Sequence, residues 1–349
     1  MSIDPEGVTT LWGGISGVNL GLVHPTQVCY PGSSAFLVRL DNNGDVLEST
    51  FLNIPPLFIT GTSPRFHSGG ASLLYGSFTE ADFKILNLGP AASEIMLGCI
   101  GSAASFANLV LAPNEIVSLF GGGIGPAQPV TGKPDANGLY PFELGGAQVT
   151  FDGIRTPLLY VSGSQVNLVT PGGLQGKSTT HVCGTVCTAA TNCIDVGVAP
   201  AAPDVFLSGE YAAALNQDGT LNSPQNPALV GSAVSVLLTG VGAVTPSAPE
   251  GGITPYPPPA QDLRAQVLFD WYICSFIDCP GPTSVSAQVL YAGPAPLEVE
   301  GLWQINFVIP TAPGCPNYIP FCSVDSEGVQ IDVGGAGSPS FRIAYKEAP

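Results

Sequence analysis

Three short motifs occur in this chain twice and in the same order. Val117-Ser118-Leu119-Phe120, followed by Gly123-Ile124-Gly125, is matched by Val234-Ser235-Val236-Leu237, followed by Gly240-Val241-Gly242. Leu159-Tyr160, then Gln165-Val166-Asn167 and Pro171, is matched by Leu290-Tyr291, then Gln304-Ile305-Asn306 and Pro310. Such a repeat constrains the fold strongly, because each copy is one structural unit with an apolar face to bury. Each copy spans about 100 residues, with apolar runs at intervals of roughly 8–12, as in a β-sandwich. Alternation with period two supports strands at Ala147–Phe151 and Leu302–Val308. In the second, Trp303, Ile305, Phe307 and Ile309 share a face and are expected to point into the core. Gln304 and Asn306 lie opposite, where their amides are expected to satisfy backbone groups of a neighbouring loop. Ligand binding by the paired amides is the alternative.

Composition narrows the fold class further. Glycine (44) and proline (34) make up about a fifth of the 349 residues, and charged residues are only 10%. Helices that face water need more Lys, Glu and Arg than this. A hydrophobic content of 45% argues against disorder, and no uninterrupted apolar stretch of 18 residues occurs. The expectation is an all-β chain of tandem Ig-like β-sandwiches with an N-terminal β-rich module, divided as 1–105, 106–202 and 203–349. The Ala199-Pro200-Ala201-Ala202-Pro203 run marks the second boundary. A net charge of −17 makes nucleic acid and anionic lipid poor partners, and no membrane insertion is expected.

Nine cysteines fall mostly in three clusters, CGTVCTAATNC (183–193), CSFIDC (274–279) and CPNYIPFC (315–322). A zinc site is one reading, but CxxC pairs are missing and only His181 lies close by. Disulfide-closed hairpins are the preferred one. Candidate partners are Cys29, Cys99, Cys187, Cys193, Cys274, Cys279, Cys315 and Cys322. Cys29 and Cys99 can pair within the N-terminal region. One thiol of Cys183, Cys187 and Cys193 is left over, and the sequence leaves open which. Disulfides imply an oxidising compartment, hence an extracellular or cell-surface location. Residues 1–30 lack a basic start and an apolar core, so the chain is expected to be a mature fragment or the C-terminal piece of a longer precursor.

APNEIVSLFGGGIGP (112–126), LGGAQVTFDGIRTPLLYVSGSQVNLVTP (144–171), AALNQDGTLNSPQNPALVGSAVSVLLTGVG (213–242) and YAGPAPLEVEGLWQINFVIP (291–310) together resemble one family. It is the uncharacterised paired C-terminal β-domain of large secreted acidobacterial-type proteins, and the resemblance covers about residues 99–345. It implies export and Ig-like sandwiches but no activity. Ser34–Asp41, Asn43-Gly44-Asp45 and Ser49–Leu52 are similar to the blade repeat of bacterial surface β-propellers, and one blade cannot close a ring.

Candidate chemistry is sparse. Asp41, Asn43 and Asp45 offer oxygens at the spacing that opens a calcium loop, without a bidentate Glu at the twelfth position; an Asx-rich turn is the plainer reading. Asp218-Gly219 reads likewise. His24, His67 and His181 have unrelated local contexts, and no GxSxG elbow is present. GGGIG (121–125) lacks a following helix, so its glycines are assigned to a bulge or close sheet contact. Trp271, Tyr272, Phe276, Tyr318 and Phe321 on or beside the cysteine loops are candidate contact aromatics, with core capping as the alternative.

The expected function is therefore a non-catalytic extracellular structural or adhesive protein, with no cofactor. Few lysines protect its edge strands, so self-association into a filament or sheath is expected, through donation of an N-terminal strand to the next subunit. Other cell-surface proteins are alternative partners. The alternatives in function are a carbohydrate- or ligand-binding module, with a glycan as a possible ligand, and a hydrolase.

Overall fold

The computed structural model describes residues 2–3, 7–15, 34–52, 65–67, 70–76, 83–88, 95–106, 110–245, 249–261, 263–274, 283–314 and 323–347. Among them the chain is nearly all β, with a single 3-10 turn at Gly172–Leu174 and no α-helix. Among the described residues no helix is long and apolar enough to cross a membrane.

The N-terminal region forms a four-stranded antiparallel meander of Ser2–Ile3, Thr9–Ile15, Ser34–Leu40 and Val46–Leu52. Thr9–Ile15 pairs with Ser34–Leu40 along its whole length, and Thr9 and Thr10 also pair with Ile3 and Ser2. One edge of Thr9–Ile15 is thus fully paired within its own chain, and the other is paired at Thr9 and Thr10. A second small sheet holds Arg65–His67, Gly70–Gly76 and Phe83–Leu88.

Each sequence copy becomes two sheets across one core. In the first, one sheet contains Met96–Ser102, Ile116–Gly122, Leu158–Val161 and Gln165–Val169, and the other Ala147–Phe151, Thr179–Val186 and Ala189–Val198. Val117, Leu119, Val166 and Leu168 meet Val149, Phe151, Val182 and Val196 in one buried cluster. Met96–Ser102 joins this sandwich although it lies ahead of the expected boundary at 105. In the second copy, Ala233–Thr239, Trp303–Val308 and Val289–Pro294 face Ala265–Cys274, Thr283–Ser286 and Ser323–Val333. Trp303, Ile305, Phe307 and Ile309 are all buried, as their alternation predicts.

The repeat extends to the turns. Asp152 and Gly153, both with positive φ (51° and 82°), close the tight hairpin from Ala147–Phe151 to Ile154–Arg155. In copy two the equivalent hairpin partners, Ala265–Cys274 and Thr283–Ser286, are joined by residues 275–282, and CSFIDC begins at the last residue of the first strand. The GGGIG glycines do what close contact requires: the ladder shifts register at Phe120/Gly121, and a side chain on Gly121 would collide with the Met96 carbonyl.

Candidate functional site

The described hairpin cysteines correct one expectation. Cys183 and Cys193 lie directly opposite one another, with Cα atoms 4.4 Å apart, and form a disulfide. Cys187, a candidate partner from the sequence, carries an exposed free thiol. It sits at the hairpin turn with φ 57°, and its N–H donates to the Gly146 carbonyl, so it has no cross-strand cysteine opposite it. Cys99 is also disulfide-bonded. The expectations for Cys29, Cys279, Cys315 and Cys322, for the Cys274 side chain, and for Phe276, Tyr318 and Phe321 lie outside the described residues.

Trp271 is a second correction. The sequence pattern sets it beside a loop, but the strand runs through it to Cys274. Its side chain is 2% exposed, stacks on Phe269 at 5.5 Å and donates from Nε1 to the Tyr345 hydroxyl at 3.0 Å. Period two places Val267, Phe269 and Trp271 on the inward face, so Trp271 is a core residue rather than a contact aromatic. Tyr272 is half-buried on the same strand.

The acidic turns use their carboxylates internally. Asp41 Oδ1 accepts from the amides of Asn43 and Asp45 at 2.8 and 2.9 Å, which holds its carboxyl below the usual range. Asp135 binds Asn137 and Leu139 in the same manner, and Asp218 binds Thr220. These are Asx turns built to one plan.

The paired amides have an explanation the sequence reading missed. In copy one, Ser118 Oγ donates to Asn167 Oδ1 at 3.0 Å, and Gln165 Nε2 donates to the same oxygen at 2.7 Å. In copy two, Ser235 donates to Asn306 Oδ1, while Gln304 Nε2 donates to that oxygen and to Ser235 Oγ, both at 2.9 Å. The amides thus satisfy one another and a cross-strand serine, not a neighbouring loop. The serine was visible in the repeat as the second residue of VSLF and VSVL.

Between the sandwiches runs a buried seam. Ile116, Val169 and Val299 form its apolar centre, with Tyr140, Leu159, Phe206 and Leu302 against them. Ile116 N–H donates to Thr239 Oγ1, and that hydroxyl donates to the Gly301 carbonyl, each at 2.8 Å. Ser105 Oγ donates to the buried Asp204 at 2.6 Å. Tyr140 N–H donates to the Gly251 carbonyl, and Leu139 bridges to Gly252. Glu115 lies fully buried beside this chain of contacts. Its Oε2 accepts from Ala112 N–H at 2.6 Å, whereas Oε1 has no partner among the described residues. Burial, with the nearby Asp204, pushes its carboxyl up to about 8.

A cavity of about 250 Å³ adjoins the seam in the second sandwich, below the Pro249–Gln261 loop. Its walls are mostly apolar, including Val244, Ile253, Pro259 and Trp303. Two of its polar groups stand out. Glu300 is nearly buried, accepts from Gly251 N–H at 3.1 Å and is pushed up to about 7 by burial. Trp303 Nε1 is buried with no hydrogen-bond partner among the described residues. An orphaned donor and an acid half-protonated near neutrality can together orient a small ligand with a hydroxyl or amide group. Sequence reasoning missed Glu115 and Glu300; the one available signal was an acid abutting an apolar run, as in Glu115-Ile116-Val117. Compared with protein-family models and with curated proteins, this chain has no match.

Proposed function

We propose that this chain is a non-catalytic structural and adhesive protein of the cell exterior, in which two Ig-like sandwiches act as one stiff strut. The observation that carries this reading is the seam. A bundle of domains on loose linkers would leave the junction wet, whereas here apolar side chains and a chain of hydrogen bonds bury it. The expected linker is itself held down: Ala199 N–H donates to the Leu111 carbonyl, and Ala202 N–H to Gly240. The Cys183–Cys193 bridge supports an oxidising location. The family resemblance, a secreted paired C-terminal β-domain, fits the same picture. Self-association rests on the exposed Leu207, Leu215, Leu221 and Leu290 of the second sandwich. Sedimentation velocity across a concentration series tests it: assembly is expected, and a single species near 35.6 kDa throughout removes self-association from the account.

The cavity at Glu300 and Trp303 favours a second reading, a ligand-binding module. Thermal shift against a panel of glycans and small polar metabolites tests it. Stabilisation abolished by Trp303→Phe supports it, and stabilisation that Trp303→Phe and Glu300→Gln leave intact places the ligand elsewhere.

A further inference from the structure

We propose that reduction of the Cys183–Cys193 bridge turns this hairpin into a site for a zinc-like divalent cation, with Cys183, Cys193 and His181 as ligands. The cross-strand register sets Cys183 opposite Cys193 and His181 opposite Asp195. Residues two apart on a strand share a face, so all four side chains stand together on one face of the hairpin. Val182, between His181 and Cys183, is buried in the core, which puts the four on the outer face. A ring nitrogen of His181 and both sulfur atoms lie within 4.8 Å of one another. Ligands around tetrahedral zinc, at bonds of about 2.0–2.3 Å, are separated by roughly 3.3–3.8 Å, so a small adjustment closes the site. Asp195 Oδ1 lies 2.7 Å from His181 Nδ1, the carboxylate–histidine contact that fixes a ligating imidazole. Asp195 is therefore a positioning residue, and solvent fills the fourth place.

The chemistry balances with a dithiol as reductant. The Sγ–Sγ bond breaks, each sulfur takes a hydrogen, and the dithiol closes to its own disulfide. The cation then binds two thiolates, and both thiol protons leave to solvent. The frame does not depend on the bridge. Thr179–Val186 is laddered to Ala147–Phe151 on its other side, Gly184 N–H donates to Thr191 Oγ1, and the Asn192 amide bonds both backbone groups of Leu97.

The test uses the full chain, reduced under argon, with Zn2+ as the probe and alkylation followed cysteine by cysteine through peptide mass mapping. Zinc is expected to slow alkylation of Cys183 and Cys193 by about tenfold or more while leaving Cys187 reactive. Asp195→Ala is expected to weaken the apparent zinc affinity about 10- to 100-fold, and His181→Ala to abolish the protection. A bridge with only a structural role predicts no response to zinc. Equal alkylation with and without zinc, protection unchanged in His181→Ala, or loss of the β-sheet circular dichroism on reduction would each overturn the proposal.

Discussion

Glu115 lies wholly inside the seam, and its carboxyl is held protonated up to about 8 because the charged form would lose its hydration. An acid whose folded value is raised binds more protons in the native state than in the unfolded one. Its contribution to stability is fully present below about 4.5 and is lost as pH rises toward 8. Glu300 acts in the same direction up to about 7. The unfolding midpoint should therefore fall between pH 5 and pH 8, and Glu115→Gln should flatten that fall. A midpoint that climbs across this interval in the wild type would refute the assignment. Gly301 is constrained at the same junction. It has φ +90°, and a Cβ there would sit 2.8 Å from the Asn114 carbonyl, so the two sandwiches approach backbone to backbone. Gly301→Ala should cost about 1–3 kcal/mol from backbone strain, measured by denaturant unfolding.

At the level of the strand, alternation decided which side chains face inward, and it is sensitive to where a strand is taken to end. Leu302–Ile309 was legible because nothing interrupts its period of two. Trp271 was not, because the cysteine cluster that follows it suggested a loop, whereas the ladders to Thr283–Ser286 and Ser323–Val333 both include it and the second carries the strand on to Cys274. The consequence is a stability phenotype: Trp271→Ala should cost about 3–5 kcal/mol, as a large core truncation does, and lower the urea midpoint with an unchanged slope. A change below about 1 kcal/mol would place Trp271 at the surface after all. The Ser118 and Ser235 triads show a different limit. The sequence displayed all three residue types in both copies, but the pairing register that brings Ser118 opposite Asn167, and Ser235 opposite Asn306, is a property of the assembled sheet. The cysteine trio was ambiguous for the same reason, since spacing alone does not say which two residues face across a hairpin.

For the whole molecule, the repeat announced two sandwiches but not how they meet. The seam gathers residues far apart in sequence, such as Ile116 with Thr239 and Ser105 with Asp204, which no local pattern connects. The proposed role as a stiff strut depends on those contacts coupling the two cores. Differential scanning calorimetry of the wild type, Val117→Ala in the first core and Ile305→Ala in the second tests that coupling directly, both side chains being fully buried. The account predicts one main transition for the two sandwiches, lowered by either substitution. Two transitions, each moved by only one of the substitutions, would contradict it.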